Sequence, residues 1–371
     1  MNRIIFHLDD SKNLRGGERQ VLYLARESLS LGEKNYIVAR NDSPLLDKAR
    51  LLNIPNFTLP YLFEWDPISA ILLALKARKI CGKNSLPIFH SHTGHTPAIS
   101  FLASLIMKSA RIAHRRVDFP LKKNILSRLK YSTCDAIIAI SLAIKKILLA
   151  SGLDEKQIKV INSSFSIREN TSQQSKRKEM EKAFNLTEKT LIAGSLIALQ
   201  PHKDPLNLIR AAALCLKKDK NIFFLLGGEG PLRSACEQEI YRLGVGESFK
   251  MLGEVKENIA FLKAIDIFIL PSREEGLGSV LLEAMACAVP IAATNAGGIP
   301  ELVVPGLNGL LAEKENPEAL ANIILQISSD RILREKFSSG SLKKVEEFSP
   351  KEMAAKTIKV YDEILENFKH N

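Results

Sequence analysis

Residues 271–301, PSREEGLGSVLLEAMACAVPIAATNAGGIPE, decide the fold of this chain. The apolar run at residues 265–270 predicts a strand, and the polar, glycine-containing residues after Pro271 predict a loop. Residues 280–288 combine strong helix formers with apolar spacing and predict a helix. Strand, loop and helix in this order form the unit from which parallel α/β sheets are built.

Two glutamates of this stretch are candidate binding groups. Glu275 lies in the predicted loop and Glu283 about two turns into the predicted helix, so both carboxylates can point into one site. In the simpler interpretation, Glu275 complements a helix N-terminus and Glu283 is a solvated helix residue. The binding interpretation is favoured because an unpaired carboxylate is costly to bury in so apolar a helix. Free amides at the helix start favour an anion, and they belong to Gly276, Leu277 and Gly278.

Length and composition are typical of a two-domain globular protein. The 371 residues exceed one ordinary core, and 46% of them are hydrophobic and 25% charged. Strand-like residues begin at Arg3 and no apolar run reaches the length of a membrane span, so neither a signal peptide nor a membrane helix is expected. The cysteines are far apart without CxxC or Cys/His clusters, which predicts reduced core residues of a cytoplasmic protein at Cys81, Cys134, Cys215, Cys236 and Cys287.

The chain is basic, with a formal net charge of +11 and a pI near 9.3. Nucleic acid is not the expected partner, because the basic residues are spread along the chain and no nucleic-acid motif accompanies them. An anionic membrane surface fits better if the substrate is linked to a lipid. Plain solubility explains the charge equally well, so both interpretations stay open.

A regular alternation of strands and helices predicts a parallel sheet in the N-terminal half. The loop after the first strand contains Gly16 and Gly17 but not GxGxxG, so the dinucleotide fingerprint of a dehydrogenase is missing. Paired glycines let a backbone approach a ligand closely, and a tight turn explains them about as well. Ligands collect beyond the carboxyl ends of such strands, where the sequence places the loops at residues 90–95 and 114–120.

These two loops carry histidines and arginines. His90, His92 and His95 have no carboxylate or cysteine beside them, so a polar loop that contacts substrate is favoured over a metal site. Arg115 and Arg116 either clamp a phosphate or carboxylate of an acceptor or form a solvated basic loop, and the residues leave both open.

A polar, charged stretch at residues 163–182 predicts a linker, and a second series of strands and helices follows it. Lys203 lies in the first strand-to-helix loop of this series, from which a lysine can reach a phosphate bound at a helix start. Gly228 and Gly230 follow the next strand. We expect these loops and the Glu275 loop to meet at one rim of the second sheet.

Seven motifs spread over nearly the whole chain form a recognisable set: Gly16-Gly17-Glu18, Lys203-Asp204, Gly228-Glu229-Gly230-Pro231, Pro271-Ser272, Glu275-Gly276-Leu277-Gly278, Leu282-Glu283-Ala284-Met285-Ala286 and Gly297-Gly298-Ile299-Pro300-Glu301. The set resembles the family 4 glycosyltransferases. The resemblance implies the GT-B fold, in which two Rossmann-like domains face each other across a cleft and the last helix crosses back to the first domain. It also implies transfer of a sugar from a nucleotide sugar, with retention of anomeric configuration and without a metal or other cofactor.

The resemblance assigns a role to each part of the chain. Residues 1–165 would be the acceptor-side domain, 166–185 the linker and 186–349 the nucleotide-sugar domain, with 350–371 as the returning helix. Glu283 would accept hydrogen bonds from the ribose, whereas Glu275 would hold hydroxyls of the donor sugar. Lys203 would offset the charge that grows on the leaving diphosphate. Further donor contacts are implied for Gly16, Gly17, Gly228, Gly230 and the amides of Gly276, Leu277 and Gly278.

Two positions depart from the family pattern. The family usually has an arginine a few residues before the lysine, where this chain has Ala198 and Gln200. Arg273, Arg115 and Arg116 are candidates to supply the missing charge. Many members also have a histidine after the fifth strand of the first domain, and here that position falls at Arg116. His92 and His114 are therefore the candidate catalytic histidines, and Arg115, Arg116 and Asp118 are the candidate acceptor-binding residues.

The leading hypothesis is a retaining, metal-independent hexosyltransferase. It would use a UDP- or GDP-sugar to extend a cell-envelope glycan, lipopolysaccharide or glycolipid, in the cytoplasm and at the inner face of the membrane. The alternatives are a nucleotide-sugar epimerase of similar fold and a catalytically weak partner subunit. The motif at residues 297–301 disfavours the first, and the missing arginine motivates the second.

Overall fold

The computed structural model describes residues 2–14, 16–122, 124–166 and 176–370. The chain forms two compact domains: residues 1–164 together with 350–371 are the N-terminal domain, and residues 165–349 are the C-terminal domain. None of the described helices combines the length and the apolar character needed to span a membrane. The five cysteines are free, and four of them are buried.

The N-terminal domain contains a parallel sheet whose strand order is β3-β2-β1-β4-β5-β6-β7. Successive strands are added first on one side of β1 and then on the other, so the order reverses between β1 and β4, where ligands bind in such sheets. Its central strands read as apolar runs because helices cover both faces. The described strands are β1 (Asn2–Leu8), β2 (Asn35–Ala39), β3 (Asn56–Thr58), β4 (Ser85–Ser91), β5 (Ala110–Arg115), β6 (Ala136–Ala139) and β7 (Ile158–Val160).

Helices cover this sheet, and several begin at clear sequence signals. Asp66 caps α3 by accepting from the amide of Ile68, with Pro67 at the first helical position. Ser141 caps α6 in the same way. The described helices of this region are α1 (Gly16–Ser30), α2 (Pro44–Leu51), α3 (Pro67–Cys81), α4 (Thr96–Ser104), α5 (Ile125–Ser132) and α6 (Leu142–Ala150).

The last helix of the chain completes the N-terminal domain. This helix, α15 (Pro350–His370), packs against α1, and its buried face includes Met353, Tyr361 and Ile364. Tyr361 is fully buried in the same apolar cluster as Ile5 and Ile88 of the central strands. The predicted return of the last helix to the first domain is confirmed.

The C-terminal domain has a second parallel sheet, in the order β10-β9-β8-β11-β12-β13, with its reversal between β8 and β11. Its described strands are β8 (Leu191–Leu196), β9 (Ile222–Gly227), β10 (Phe249–Gly253), β11 (Ile267–Leu270), β12 (Ile291–Thr294) and β13 (Gly309–Ala312). Its described helices are α7 (Arg177–Ala183), α8 (Pro205–Lys218), α9 (Arg233–Leu243), α10 (Asn258–Leu262), α11 (Ser279–Ala286), α12 (Ile299–Leu302), α13 (Pro317–Ser329) and α14 (Arg331–Val345).

Most predicted elements are present, and three regions differ. Part of the expected linker, 166–185, is the helix α7, while residues 167–175 lie outside the described residues. Arg177 explains why this polar stretch is ordered, since its guanidinium donates to Asp266 and to the carbonyls of Ala264 and Thr190. The short helices α2 and α5 were not expected from the sequence.

Candidate functional site

Lys203 and Glu275 meet at the strand-order reversal of the C-terminal sheet. Lys203 follows β8 and Glu275 follows β11, and these strands are hydrogen-bonded neighbours. Lys203 Nζ donates to Glu275 Oε2 at 2.6 Å, and Ser272 Oγ donates to the same oxygen at 3.2 Å. Both side chains are largely buried, so the pair is shielded from bulk water. The structure thus brings together two residues that the sequence placed on one rim.

The backbone around Lys203 is fixed by a second ion pair. Lys203 ends a 3₁₀ turn, Pro201–Lys203, and Asp204 then adopts a left-handed conformation with φ of 49°. Asp204 Oδ1 accepts from the amide of Asn207 and so caps α8. Arg273 holds this carboxylate in a fork, donating from Nε at 2.8 Å and from Nη2 at 3.2 Å, and it also pairs with Glu315.

The backbone of Glu275 is hydrogen-bonded to the backbone of the Gly297-Gly298 motif. The amide of Gly298 donates to the Glu275 carbonyl at 2.9 Å. A Cβ at Gly297 would lie 1.9 Å from that carbonyl oxygen, and one at Gly298 would lie 2.4 Å from the carbonyl oxygen of Gly276. Gly297 also has a φ of +52°, which a larger residue rarely adopts. The paired glycines therefore let one loop pack directly against the loop that carries Glu275.

Glu283 lies on α11, two turns from the Glu275 loop as the sequence predicts. Asn258 Nδ2 donates to Glu283 Oε2 at 3.2 Å. The preceding residues form the start of α11: Gly278 has a φ of +84° and Leu277 is buried. The carboxylates of Glu275 and Glu283 thus belong to one loop-and-helix unit, with the first amides of α11 between them.

Gly228 and Gly230 support the loop that carries Lys203. A Cβ at Gly228, whose φ is +137°, would lie 1.8 Å from the carbonyl oxygen of Ile197, and one at Gly230 would lie 2.6 Å from that of Leu199. The amide of Leu199 in turn donates to the carbonyl of Glu229. These glycines are required because two strand-end loops pack closely there. Their contact with a nucleotide-sugar donor stays a prediction.

Four histidines lie together at the carboxyl end of the N-terminal sheet. His7 of β1 is in register with His90 of β4. His92, one residue beyond the end of β4, and His114 of β5 continue the same face. The ring centroids of His90 and His92 are 4.2 Å apart, and those of His90 and His114 are 5.5 Å apart in parallel stacking. This cluster lies at the strand-order reversal between β1 and β4.

Arg116 sets the protonation pattern of the cluster. Its Nη2 donates to His92 Nδ1 at 3.1 Å and to His114 Nδ1 at 3.3 Å. A neutral His92 then carries its proton on Nε2, which donates to His7 Nδ1 at 3.0 Å. His90 Nδ1 shares a 2.7 Å hydrogen bond with the hydroxyl of Tyr361 on α15.

Burial determines the charges in this region. It lowers the pKa of His7 to about 3, and it lowers the pKa values of His90, His92 and His114 well below their usual range, with Arg116 adding to the effect. Two neutral imidazoles of the cluster, those of His92 and His114, therefore contact the guanidinium of Arg116. Burial also lowers the pKa of Arg116 to about 10, so it stays cationic at neutral pH.

A cavity of about 460 Å³ opens beside the cluster within the N-terminal domain. His92, His114 and Arg116 line it together with aromatic and basic side chains that include Trp65, Phe119, Lys130 and Tyr131. Arg115 also borders the cavity, but its Nη2 donates to the carbonyl of Phe119 and its guanidinium lies over the Phe119 ring. Asp118 follows in the same loop and is not among the lining residues.

The histidines of the sequence motif do not stay together. His95 is exposed, and its Nδ1 lies 2.9 Å from Asp10 Oδ2. His7 takes its place, so that ring nitrogens of His7, His90 and His92 lie within 4.8 Å of one another. Arg116 disfavours a cation there because it is a cation itself and occupies a nitrogen of His92. Independence from metal stays a prediction.

Comparison with known proteins identifies the family. Residues 14–165 match the family described as Glycosyltransferase Family 4, and residues 176–344 match the one described as Glycosyl transferases group 1. The chain belongs to glycosyltransferase family 4. The two matches together cover nearly the whole length of this family 4 glycosyltransferase, as the motifs predicted.

Relatives of this family 4 glycosyltransferase are distant in sequence and close in fold. An uncharacterized glycosyltransferase of Methanocaldococcus jannaschii is 29% identical over 84% of this chain and 86% of that protein. The capsular polysaccharide biosynthesis glycosyltransferase CapM of Staphylococcus aureus is 29% identical over 57% of this chain, which spans 56% of CapM's length. The crystal structure of Anabaena HepE in complex with UDP and glucose has a TM-score of 0.81 at 20% identity, covering 98% of this chain and 100% of that one. This likeness confirms the predicted GT-B fold.

Proposed function

We propose that this glycosyltransferase moves a sugar from a nucleotide-diphosphate sugar, UDP- or GDP-linked, to a cell-envelope glycan, lipopolysaccharide or glycolipid. The observation that carries the proposal is the 2.6 Å contact between Lys203 and Glu275 at the reversal of the C-terminal sheet. HepE was crystallised with UDP, and CapM acts in capsular polysaccharide biosynthesis, which supports the donor and the acceptor class respectively.

In this proposal the C-terminal domain binds the donor. Glu283 accepts hydrogen bonds from the ribose, and Glu275 accepts them from hydroxyls of the sugar. Lys203 and the first amides of α11 face the diphosphate, because a cation and a helix N-terminus both stabilise an anion. The charge that grows on the diphosphate as the sugar leaves is the largest change in the reaction, and these groups oppose it.

The proposed reaction is retaining and needs no metal. The bond from the anomeric carbon to the diphosphate oxygen breaks, the acceptor oxygen forms the new bond on the same face, and the departing phosphate oxygen takes the acceptor proton. No carboxylate nucleophile is needed for this course, unlike in retaining hydrolases. Glu275 is already engaged by Lys203 and Ser272, which fits a positioning role for this carboxylate.

Calorimetric titration with UDP and GDP tests the donor site. We expect one of them to bind to wild-type protein and to bind at least about tenfold more weakly to Glu283→Ala. Glu318→Ala, which changes a glutamate in the first turn of α13 on the same domain, is the matched control and should bind like the wild type. Unchanged affinity in Glu283→Ala would remove the donor assignment.

We also propose that an anionic membrane is a partner, because α3 exposes an unpartnered apolar face. Ile68, Ile71, Leu72 and Leu75 are exposed at helical spacing, and Leu62 and Phe63 extend the same kind of surface before the helix. The basic residues Arg78 and Lys79 close its last turn, and α3 has no acid in its first turn. Apolar side chains beside cations fit the interface of an anionic bilayer. The enzyme would then act at the inner face of the cytoplasmic membrane.

Sedimentation with vesicles tests this surface. We expect wild-type protein to bind vesicles that contain phosphatidylglycerol at low salt, and the double variant Ile71→Ser/Leu75→Ser to lose most of that binding. Ile332→Ser is the matched control, since Ile332 is 79% exposed on α14 of the other domain. Equal binding of the double variant and the wild type would exclude α3, and a shift to dimers without vesicle binding would identify a second copy as its occupant.

A further inference from the structure

Arg116 is a shielded arginine that no carboxylate neutralises directly. Its hydrogen bonds go to ring nitrogens of His92 and His114, and no described carboxylate forms an ion pair with it. Asp9 and Glu18 act on it only through space, and burial raises the pKa of Asp9 to about 7, which weakens that counter-charge. A shielded cation is ordinarily paired with an anion, so this arrangement is unusual.

Neutral acceptors hold a guanidinium in place without cancelling its charge. The other two donors of Arg116, at Nε and Nη1, are shielded from solvent and have no acceptor among the described residues. The Nε2 atoms of His7, His90 and His114 are also buried and have no hydrogen-bond partner among the described residues. Buried donors without acceptors are rare in proteins, and a ligand that accepts hydrogen bonds would satisfy those of Arg116.

The surroundings of Arg116 suit an anion on two further grounds. A Cβ at Gly17 would lie 3.7 Å from Arg116 Cδ, so Arg116 packs against the beginning of α1. The first amides of a helix of this length favour negative charge. Arg116 also lines the 460 Å³ cavity, which gives a ligand room to enter.

We propose that Arg116, held by neutral histidines against the start of α1, is the receptor for an anionic oxygen group of a substrate: a phosphate or a diphosphate. The inference deepens the proposed function, because the group belongs either to the diphosphate of the donor or to an anionic acceptor.

The other candidate cations are already engaged. Arg273 forms ion pairs with Asp204 and Glu315. Arg115 donates to the carbonyl of Phe119, and its guanidinium lies over the Phe119 ring. Lys130 Nζ donates to Glu64 and to the carbonyl of Gly94. Unlike Arg273 and Lys130, Arg116 has no ion pair to break, and it keeps donors at Nε and Nη1 that have no acceptor among the described residues.

Nuclear magnetic resonance of protein labelled with ¹⁵N at arginine tests the proposal directly. The Nε–H signal of Arg116 is assigned by its absence from Arg116→Lys, and that of Arg111 by its absence from Arg111→Lys. Arg111 is the internal control, because it is buried in the same domain and donates to the carbonyls of Lys130 and Thr133. Inorganic phosphate, pyrophosphate and UDP are then titrated into wild-type protein and into Glu283→Ala at constant ionic strength.

The expected result is a saturable shift of the Arg116 signal with at least one of these anions while the Arg111 signal stays in place. If UDP shifts it in the wild type but not in Glu283→Ala, the anion is the diphosphate of the donor. If phosphate or pyrophosphate shifts it equally in both proteins and UDP does not, the anion belongs to the acceptor. An Arg116 signal that none of the three moves overturns the inference. Failure of the proposed function is a separate outcome, namely the absence of calorimetric UDP or GDP binding.

Discussion

In the C-terminal domain Lys203 donates to Glu275 and Arg273 to Asp204, so each of these cations has a carboxylate partner. In the N-terminal domain Arg116 donates to His92 and His114, which are neutral. Both sites lie where the strand order of a parallel sheet reverses. The same architecture thus presents a positive charge in two electrostatic states, one neutralised and one not.

The difference predicts how each site responds to an anionic ligand. Lys203 must share its charge between Glu275 and the ligand, so removing it disturbs both the carboxylate and the ligand. Arg116 can meet a ligand without releasing an anion, but its holders must stay uncharged, because a protonated imidazole cannot accept its hydrogen bonds. The C-terminal site depends on its ion pair, and the N-terminal site depends on the uncharged state of the histidines that hold Arg116.

The largest effect is expected from breaking the C-terminal pair. Under the proposed function, Lys203→Gln should lower the turnover of nucleotide sugar by about 10²–10³-fold, because it would remove a cation that opposes the growing charge on the diphosphate. The rate of nucleotide release measures the change. Lys217→Gln, at an exposed position on α8, should stay near the wild-type rate. A Lys203→Gln enzyme of full activity would show that the pair is structural only.

Acid should destabilise the N-terminal domain, because its four buried histidines take up protons readily only when the chain unfolds. The four histidines have lowered pKa values in the folded state, so below about pH 6.5 the unfolded chain takes up protons that the folded chain does not. The free energy of unfolding should fall by about 1 kcal/mol per histidine for one pH unit below that point, down to about pH 3 for His7. Asp9 acts in the opposite direction by about as much as one histidine, because its raised pKa increases the free energy of unfolding as the pH falls from about 7.

Urea unfolding at several pH values, followed by fluorescence, measures this slope. The single tryptophan of the chain, Trp65, lies in the N-terminal domain and packs edge-on against Phe101, so its emission reports on that domain. His90→Gln should reduce the slope, and His95→Gln, which changes an exposed histidine outside the cluster, should not. Stability that stays flat from neutral pH to about pH 5 would contradict the buried neutral cluster.

Gly297→Ala should displace Glu275 without changing any charge. The new Cβ would lie 1.9 Å from the Glu275 carbonyl oxygen, so the loop has to move. We expect a loss of about 2 kcal/mol beyond that of Gly306→Ala, measured by calorimetric unfolding, together with weaker donor binding. Gly306 is the matched control because its φ is also positive, at +80°, and no atom lies within 4 Å of its added Cβ. Equal losses in the two variants would show that backbone strain alone matters at Gly297.

The smallest effect is expected at the edge of the histidine cluster. Tyr361→Phe removes the hydroxyl that shares a 2.7 Å hydrogen bond with His90 and leaves a buried ring nitrogen without a partner. The free energy of unfolding of the N-terminal domain should fall by about 1–2 kcal/mol, read from Trp65 fluorescence. Tyr241→Phe, at a residue 90% exposed on α9, should have no measurable effect. If Tyr361→Phe leaves the free energy of unfolding unchanged, His90 needs no partner at this nitrogen.

Much of the C-terminal site was predictable because its signals are local. Glu275, Glu283 and the glycines lie within one strand-loop-helix unit, and Lys203 occupies the corresponding loop of the neighbouring strand. Alternation of strands and helices implies parallel pairing, and parallel pairing brings such loops to one edge. The contact of Lys203 with Glu275 follows from that arrangement.

The N-terminal site could not be predicted in the same way, because strand register is not encoded locally. His7 and His92 are 85 positions apart in the sequence, and their hydrogen bond depends on how β1 and β4 align. The sequence grouped His95 with His90 and His92 because they are adjacent in the chain. An available signal was that His90 and His92, two residues apart at the end of a strand, share one face, whereas His95 lies further into the loop. The pairing of His90 with Tyr361 had no local signal at all.

The helix α15 has a consequence for how the protein is made. The ribosome releases the N-terminal domain first, yet the apolar face that includes Ile5 and Ile88 is covered by Met353, Tyr361 and Ile364 from the last part of the chain. His90 likewise meets Tyr361 only after that segment has emerged. The domain that is synthesised first is therefore finished last, and a chain terminated before residue 350 would carry a complete C-terminal domain and an uncovered N-terminal domain.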